Sequence, residues 1–371
     1  MSAITPIKMP KWGLSMIEGK IVAWHKAEGE VVKEGEDLVD VETSKITNVA
    51  EAPSAGTLRR ILAQPDETLP VGALIAVLAE PHVPDADIVA FVADFQSQFV
   101  PSEEDDGADG PPQRFVSANG VTVKVGVYAE DKNATPVVLI HGYSADMNNW
   151  LFLAPALAVS RPVYALDLPG HGGSDKTVGD GSIAFLAQTV EKAMAELGVH
   201  KAHIVGHSMG GAVAMQLALT APDRVQSVSL LASAALPGGI INRDFLDGMA
   251  TGMRAKDIKH YLEMIFATPE IVTKDMVDAM VKYKRLDGVE QALSTLAATL
   301  GDGVQAQALI AHLPKIPRAL VIASRHDRIV GAPDPALFPA GWTTVFLDQT
   351  GHMPHLEAAP AVLAALAEHM G

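Results

Sequence analysis

Ser208 lies in V-G-H-S-M-G-G, residues 205–211, a G-x-S-x-G pattern closed by Gly206 and Gly210. A serine hydroxyl is a weak nucleophile until a base takes its proton, and a sharp strand-to-helix turn is what exposes it to one. The flanks supply both elements. Ala202–Val205 is a short apolar strand run, and Ala212–Ala221 is rich in Ala, Leu and Met and stops at Pro222. Any side chain at Gly206 or Gly210 would collide with the turn, and the hydroxyl would stand at the positive end of a helix. The chemistry is attack on an acyl carbonyl. It needs a histidine base, an acid to orient it and N–H donors for the developing oxyanion. With 13 histidines in the chain, residue type alone does not choose the base. His352 and His355 compete in the Gly-bounded loop T-G-H-M-P-H, and Asp327 in S-R-H-D-R-I-V competes with Asp348 for the acid.

Lys45 is the second reactive position, in V-E-T-S-K-I-T, residues 41–47. It lies midway between two similar halves: Gly19 and Gly56, Glu30 and Glu67, and Gly35 and Gly72 are all 37 residues apart. Short Val/Ile/Leu runs separated by Gly, Glu and Pro fill residues 1–80, the pattern of a small all-β domain. A lysine among small and β-branched residues between such halves suits the tip of a tight hairpin.

The elements that must position these groups follow in order. Residues 81–113 form a linker. Ile88–Phe99 has helical spacing, and P-S-E-E-D-D-G-A-D-G-P-P-Q at 101–113 reads as a disordered acidic tether, spanning roughly 20 Å on average. From 114 to 371 buried strands alternate with helices: a hairpin around Asn119-Gly120, then strands at Val137–Ile140, Pro162–Leu166, Ala202–Val205, Val225–Leu231, Arg318–Ala323 and Thr343–Leu347. That predicts a mostly parallel sheet covered by helices on both faces. Residues 236–315 interrupt it with Met-, Ala- and Leu-rich helical patterns and read as a helical cap over the strand ends.

The 371-residue chain is 48% hydrophobic and carries 28 basic against 44 acidic residues, a net charge of −16. That balance argues against a nucleic-acid partner. No apolar run is long enough for a membrane span, no signal peptide is evident, and there is no cysteine, so the expected location is cytoplasmic.

The turn around Ser208 resembles the nucleophile elbow of the α/β-hydrolase family. The resemblance implies an α/β-hydrolase fold in which the order Ser208, Asp327, His352 supplies nucleophile, acid and base, with His355 structural. It also implies an oxyanion hole made by the backbone N–H groups of Met209 and Tyr143. His141, His171 and His207 are then framework residues. The first eighty residues resemble a lipoyl domain, which makes Lys45 the lipoyl-lysine. Ser44 replaces the commoner Asp, and biotinyl domains carry Met on both sides of their lysine, so Ser44 and Ile46 favour lipoate. The two halves together are similar to the acyltransferase (E2) components of bacterial acetoin-cleaving dehydrogenase systems. That similarity implies acetyl transfer from the arm on Lys45 to coenzyme A. It also implies a thiamine-diphosphate-dependent E1, a flavin-dependent E3 and a homo-oligomer. The chain departs from ordinary E2 enzymes in lacking both a small helical subunit-binding domain and an H-x-x-x-D-G motif. Two other readings use the same residues: a serine hydrolase carrying a lipoyl domain, and a non-catalytic lipoyl carrier.

Overall fold

The computed structural model describes residues 4–10, 18–42, 47–99, 111–316 and 318–371, and the chain divides into two units, 1–110 and 111–371. In the first unit the described strands are β1 (Ile4–Lys8), β2 (Glu18–Trp24), β3 (Val31–Val32), β4 (Asp37–Glu42), β5 (Thr47–Glu51), β6 (Gly56–Ile61), β7 (Thr68–Pro70) and β8 (Leu74–Ala79). They make two four-stranded sheets, ordered β1-β8-β6-β3 and β5-β4-β2-β7.

The repeat in the sequence is this symmetry. β4 and β8 are 37 residues apart and hold equivalent central places, each antiparallel to two neighbours. Gly35 and Gly72, also 37 apart, enter these strands with φ of 77° and 81°, values that cost a residue with a Cβ. Ile21, Leu38, Val41, Leu58 and Ile75 close the core between the sheets. Helix α1 (Asp85–Gln98) lays Ile88 against Leu74, Val77 and Val83, so it packs on this unit. The acidic stretch 100–110 lies outside the described residues.

The second unit is built on one sheet of eight strands: β9 (Gln113–Ala118), β10 (Val121–Tyr128), β11 (Val137–Ile140), β12 (Val163–Leu166), β13 (Ala202–His207), β14 (Val225–Leu231), β15 (Ala319–Ser324) and β16 (Thr343–Leu347). Gln113, which composition places in the tether, is the first residue of β9 and pairs with Gly126. The spatial order is β16-β15-β14-β13-β11-β12-β10-β9, parallel from β16 to β12 and antiparallel at β10 and β9. Strands buried on both faces must be apolar throughout, and β11 is V-V-L-I with all four residues buried.

Helix α2 (Leu153–Ala158) covers one face, and α3 (Ile183–Glu196) and α4 (Met209–Thr220) cover the other. Val190, Met194, Val213 and Leu217 seal the second interface. Between β14 and β15 come five helices: α5 (Arg243–Thr251), α6 (Ala255–Ile265), α7 (Lys274–Lys284), α8 (Val289–Gly301) and α9 (Val304–Ile310). Lys284 is buried inside this cap, where its Nζ donates to Met249 O and Ala250 O at the end of α5. The chain finishes with α10 (Pro354–Glu357) and α11 (Ala359–Met370). Val362 and Leu366 of α11 join Leu153 and Leu157 on the α2 face. Among the described residues no helix is long and apolar enough to cross a membrane.

Candidate active site

β13 runs to His207, α4 begins at Met209, and Ser208 is the turn between them, with φ 54° and ψ −119°. That conformation is unfavourable for a side-chain-bearing residue and persists only where its surroundings over-determine it. They do. Ser208 N donates to Leu231 O at 3.0 Å, and Ser208 O accepts from Ala234 N at 3.0 Å. A Cβ on Gly206 would lie 2.2 Å from Gly210 O, and one on Gly210 would lie 2.1 Å from Ile140 O. The glycines let the first turn of α4 sit directly on β11 and β13, and that close approach fixes the serine.

His352 and Asp327 are brought together from loops after β16 and β15. His352 Nδ1 and Asp327 Oδ2 are 2.8 Å apart, and both residues are buried. Asp327 Oδ1 accepts from Ile329 N at 2.8 Å and Val330 N at 3.0 Å, so one oxygen anchors the carboxylate and the other orients the ring. With Nδ1–H donated to Asp327, Nε2 is the free base. The Ser208 hydroxyl makes no hydrogen bond among the described residues; such contacts are often long before substrate binds and tighten in the reacting complex.

The competing residues take other roles. Asp348 is exposed and pairs with Arg325 at 3.2 Å. His355 is fully buried, its ring tilted against those of Trp150 and His207 with centroids 5.0 and 4.5 Å away. Neither of its ring nitrogens has a hydrogen-bond partner among the described residues. Burial, then the neighbouring His352, pushes its pKa down to about 3. His207 Nε2 lies 2.8 Å from His352 O and can only donate to it, which ties the nucleophile's neighbour to the base's backbone.

Sequence reading missed Glu357. Its carboxylate accepts from Gly351 N at 2.8 Å and Met353 N at 3.2 Å, on either side of His352, and from Ala267 N at 2.8 Å. His352 N itself donates to Ile265 O, the last residue of α6. Burial raises the Glu357 pKa, and the three amides work against that rise. A glutamate in a short helix carries no sequence signal for this role, because its partners are backbone groups, two in the neighbouring 351–353 loop and one at the distant Ala267.

The expected oxyanion donors border the same cavity as Ser208: Tyr143 and Met209 both line it. A Cβ on Gly142 would sit 2.9 Å from Ser208 Cβ, so the 142–143 backbone passes directly over the nucleophile. His171 Nε2 accepts from Ser144 N at 3.0 Å, and His141 Nε2 accepts from Leu168 N at 2.9 Å. Both rings hold this loop as neutral acceptors, and burial lowers both pKa values. The cavity encloses about 60 Å³, far below the several hundred that pockets for drug-sized ligands enclose. Lys45 lies outside the described residues. It belongs to the four-residue connection between β4 and β5, which pair antiparallel with Glu42 opposite Thr47.

Two outcomes follow from this geometry. Asp327→Asn offers an amide where Nδ1–H needs an acceptor and favours the wrong tautomer, so kcat should fall by about 10⁴-fold with the fold intact. Steady-state kinetics beside a melting curve check this, and a fall below tenfold would remove Asp327 from the site. His355→Phe should stabilise the protein in acid. Between pH 6.5 and about 3 the unfolded chain binds a proton that buried His355 refuses, so stability drops as pH falls through that window. Phe has no such titration, and its advantage should grow by on the order of 2 kcal/mol between pH 8 and pH 5. Urea unfolding at both pH values reads the difference; an equal effect at both would contradict it.

Residues 135–359 match the alpha/beta hydrolase fold family, and residues 5–78 match the biotin-requiring enzyme (biotin/lipoyl) family. Among solved structures, the 2-hydroxy-6-oxo-6-phenylhexa-2,4-dienoate hydrolase from Rhodococcus superposes with a TM-score of 0.61 at 26% identity, over 70% of this chain and 99% of that one. A meta-cleavage product hydrolase from Pseudomonas fluorescens, at 20% identity and a TM-score of 0.61 over 69% and 96% of the two chains, shares the fold. Two curated relatives match both units at once. The dihydrolipoyllysine-residue acetyltransferase component of the acetoin-cleaving system of Pseudomonas putida is 44% identical over the full length of both chains. Its counterpart from Cupriavidus necator is 40% identical over 99% of this chain and 98% of that one. With a serine turn and a buried histidine–aspartate pair in one unit and the two-sheet repeat around Lys45 in the other, the chain belongs to the dihydrolipoyllysine-residue acetyltransferase components of acetoin-cleaving systems.

Proposed function

We propose that Ser208 carries an acetyl group between a lipoyl arm on Lys45 and coenzyme A, as the acyltransferase of an acetoin dehydrogenase-type complex. The observation that carries this reading is the buried His352–Asp327 pair at 2.8 Å beside a strained serine turn, in one chain with a lipoyl-type domain. The lipoyl group, when attached, presents the acetyl as a thioester. His352 Nε2 takes the Ser208 proton as Oγ bonds to the acetyl carbon. The amides of Met209 and Tyr143 hold the oxyanion, and Asp327 stabilises the imidazolium. Collapse breaks the carbon–sulfur bond, and His352 returns the proton to the departing sulfur. The thiol of coenzyme A then loses its proton to His352, attacks the acyl-serine and leaves as acetyl-coenzyme A, and Ser208 recovers its proton. Lys45 is the attachment point, in the connection that the β4–β5 pairing leaves between its ends. The complex partners are a thiamine-diphosphate-dependent E1 that loads the arm and a flavin-dependent E3 that reoxidises it, and the chain works as a homo-oligomer.

The rival acceptor is water. Ser208 and His352 are buried, and the cavity at the hydroxyl is small, which favours a delivered thiol over bulk solvent. The test is to supply acetyl-dihydrolipoamide with and without coenzyme A and to follow acetyl-coenzyme A against free acetate. The expected result is acetyl-coenzyme A in large excess. Equal acetate release in both arms would make the protein a hydrolase.

A further inference from the structure

Resting on that reading, we infer that an apolar collar formed by Ile240, Ile241 and Val304 is the docking site through which the dihydrolipoyl arm, and not the pantetheine of coenzyme A, enters the Ser208 cavity. These three side chains are 54%, 40% and 64% exposed. Singly they would mean little; here two of them line one cavity and the third adjoins its lining residue Gln305. Ile240 and Ile241 line the cavity that reaches Ser208, as do Gln305 and Ala306 immediately after Val304. The two sides face each other closely, since a Cβ on Gly303 would lie 3.3 Å from the Ile241 Cδ1.

What lies behind the collar decides the occupant. The walls include Phe245, Leu246, Leu309 and Val330. The polar side chains among the lining residues, apart from Ser208, are already engaged. The Tyr143 hydroxyl faces the carbonyls of Leu246 and Leu293. Asn242 donates to Arg328 O and accepts from Phe245 N. Gln305 accepts from Ile183 N and donates to Thr299 O. Pantetheine would bring two amides into this passage, and burying an amide without a partner is unfavourable. The hydrocarbon arm of a lipoyl group has no such groups along its four methylenes and buries only apolar area. Ser208 lines the same cavity, so an acyl group carried in on such an arm is brought toward the hydroxyl.

The experiment uses the full chain with Lys45→Arg, so that no attached arm competes, and measures binding of free lipoamide and free pantetheine by calorimetry. Ile241→Asp and Val304→Asp are compared with that background, and melting temperatures establish that each variant is folded. The expected result is a tenfold or greater loss of lipoamide affinity in each variant, with pantetheine affinity changed less than twofold. An unchanged lipoamide affinity overturns the proposal, as does a loss that falls equally or mainly on pantetheine. Sedimentation of the same samples adds one more outcome against it: variants that run as smaller species would make the collar a contact between copies of this chain. Failure of the acetyltransferase reading registers elsewhere, as absence of acetyl-coenzyme A from the unsubstituted holoprotein.

Discussion

Ser208→Ala should abolish acetyl-coenzyme A formation, with kcat falling on the order of 10⁶-fold when the nucleophile of a triad is removed. The fold should survive. The turn is held by backbone bonds from Ser208 N to Leu231 O and from Ala234 N to Ser208 O, and alanine keeps both. No acyl group can then be parked on the protein, so a mass measurement after mixing with acetyl-dihydrolipoamide should show no acetyl adduct on the catalytic unit. Undiminished transfer in this variant would reduce the chain to a carrier and leave the His352–Asp327 pair without a catalytic role.

Lys45→Arg should have an equally large effect on a different measurement. Arginine keeps the charge and offers no amine for lipoylation, so turnover by the assembled complex should fall to background. Transfer from free acetyl-dihydrolipoamide should persist, because none of the triad residues belongs to the first unit. Intact mass of the unsubstituted protein should show the lipoyl increment, which the variant lacks. Normal turnover by the reassembled complex with Lys45→Arg would place the attachment elsewhere.

The contrast between these residues explains what a single sequence shows. Ser208 is legible because its constraint is local: the glycines two residues away on either side are forced by clashes of 2.2 and 2.1 Å, and a local constraint leaves a local pattern. The halves around Lys45 are legible for a related reason, since a 37-residue repeat copies β4 into β8. The base is harder. His352 and His355 share one short loop, and what separates them is tertiary: an acceptor at 2.8 Å for one ring and Trp150 and His207 against the other. Asp327 and Asp348 divide likewise, one buried under two amides and the other outside with Arg325. Glu357 was out of reach, because three backbone N–H groups leave no residue-type imprint. The start of β9 at Gln113 was masked by composition, as Pro and acidic residues run up to the strand's first hydrogen-bonded pair.

The bonds around His352 bear on how this enzyme could be re-engineered. Ile265 O holds the amide of His352, and Glu357 clasps Ala267 N together with both of its neighbours. The end of α6 is therefore a splint for His352, the proposed general base, rather than part of a detachable roof. A chimera that exchanges the roof for another to admit bulkier acyl groups must graft within α5 and α7–α9 and spare 265–267; cutting there would disarm the imidazole before it altered selectivity.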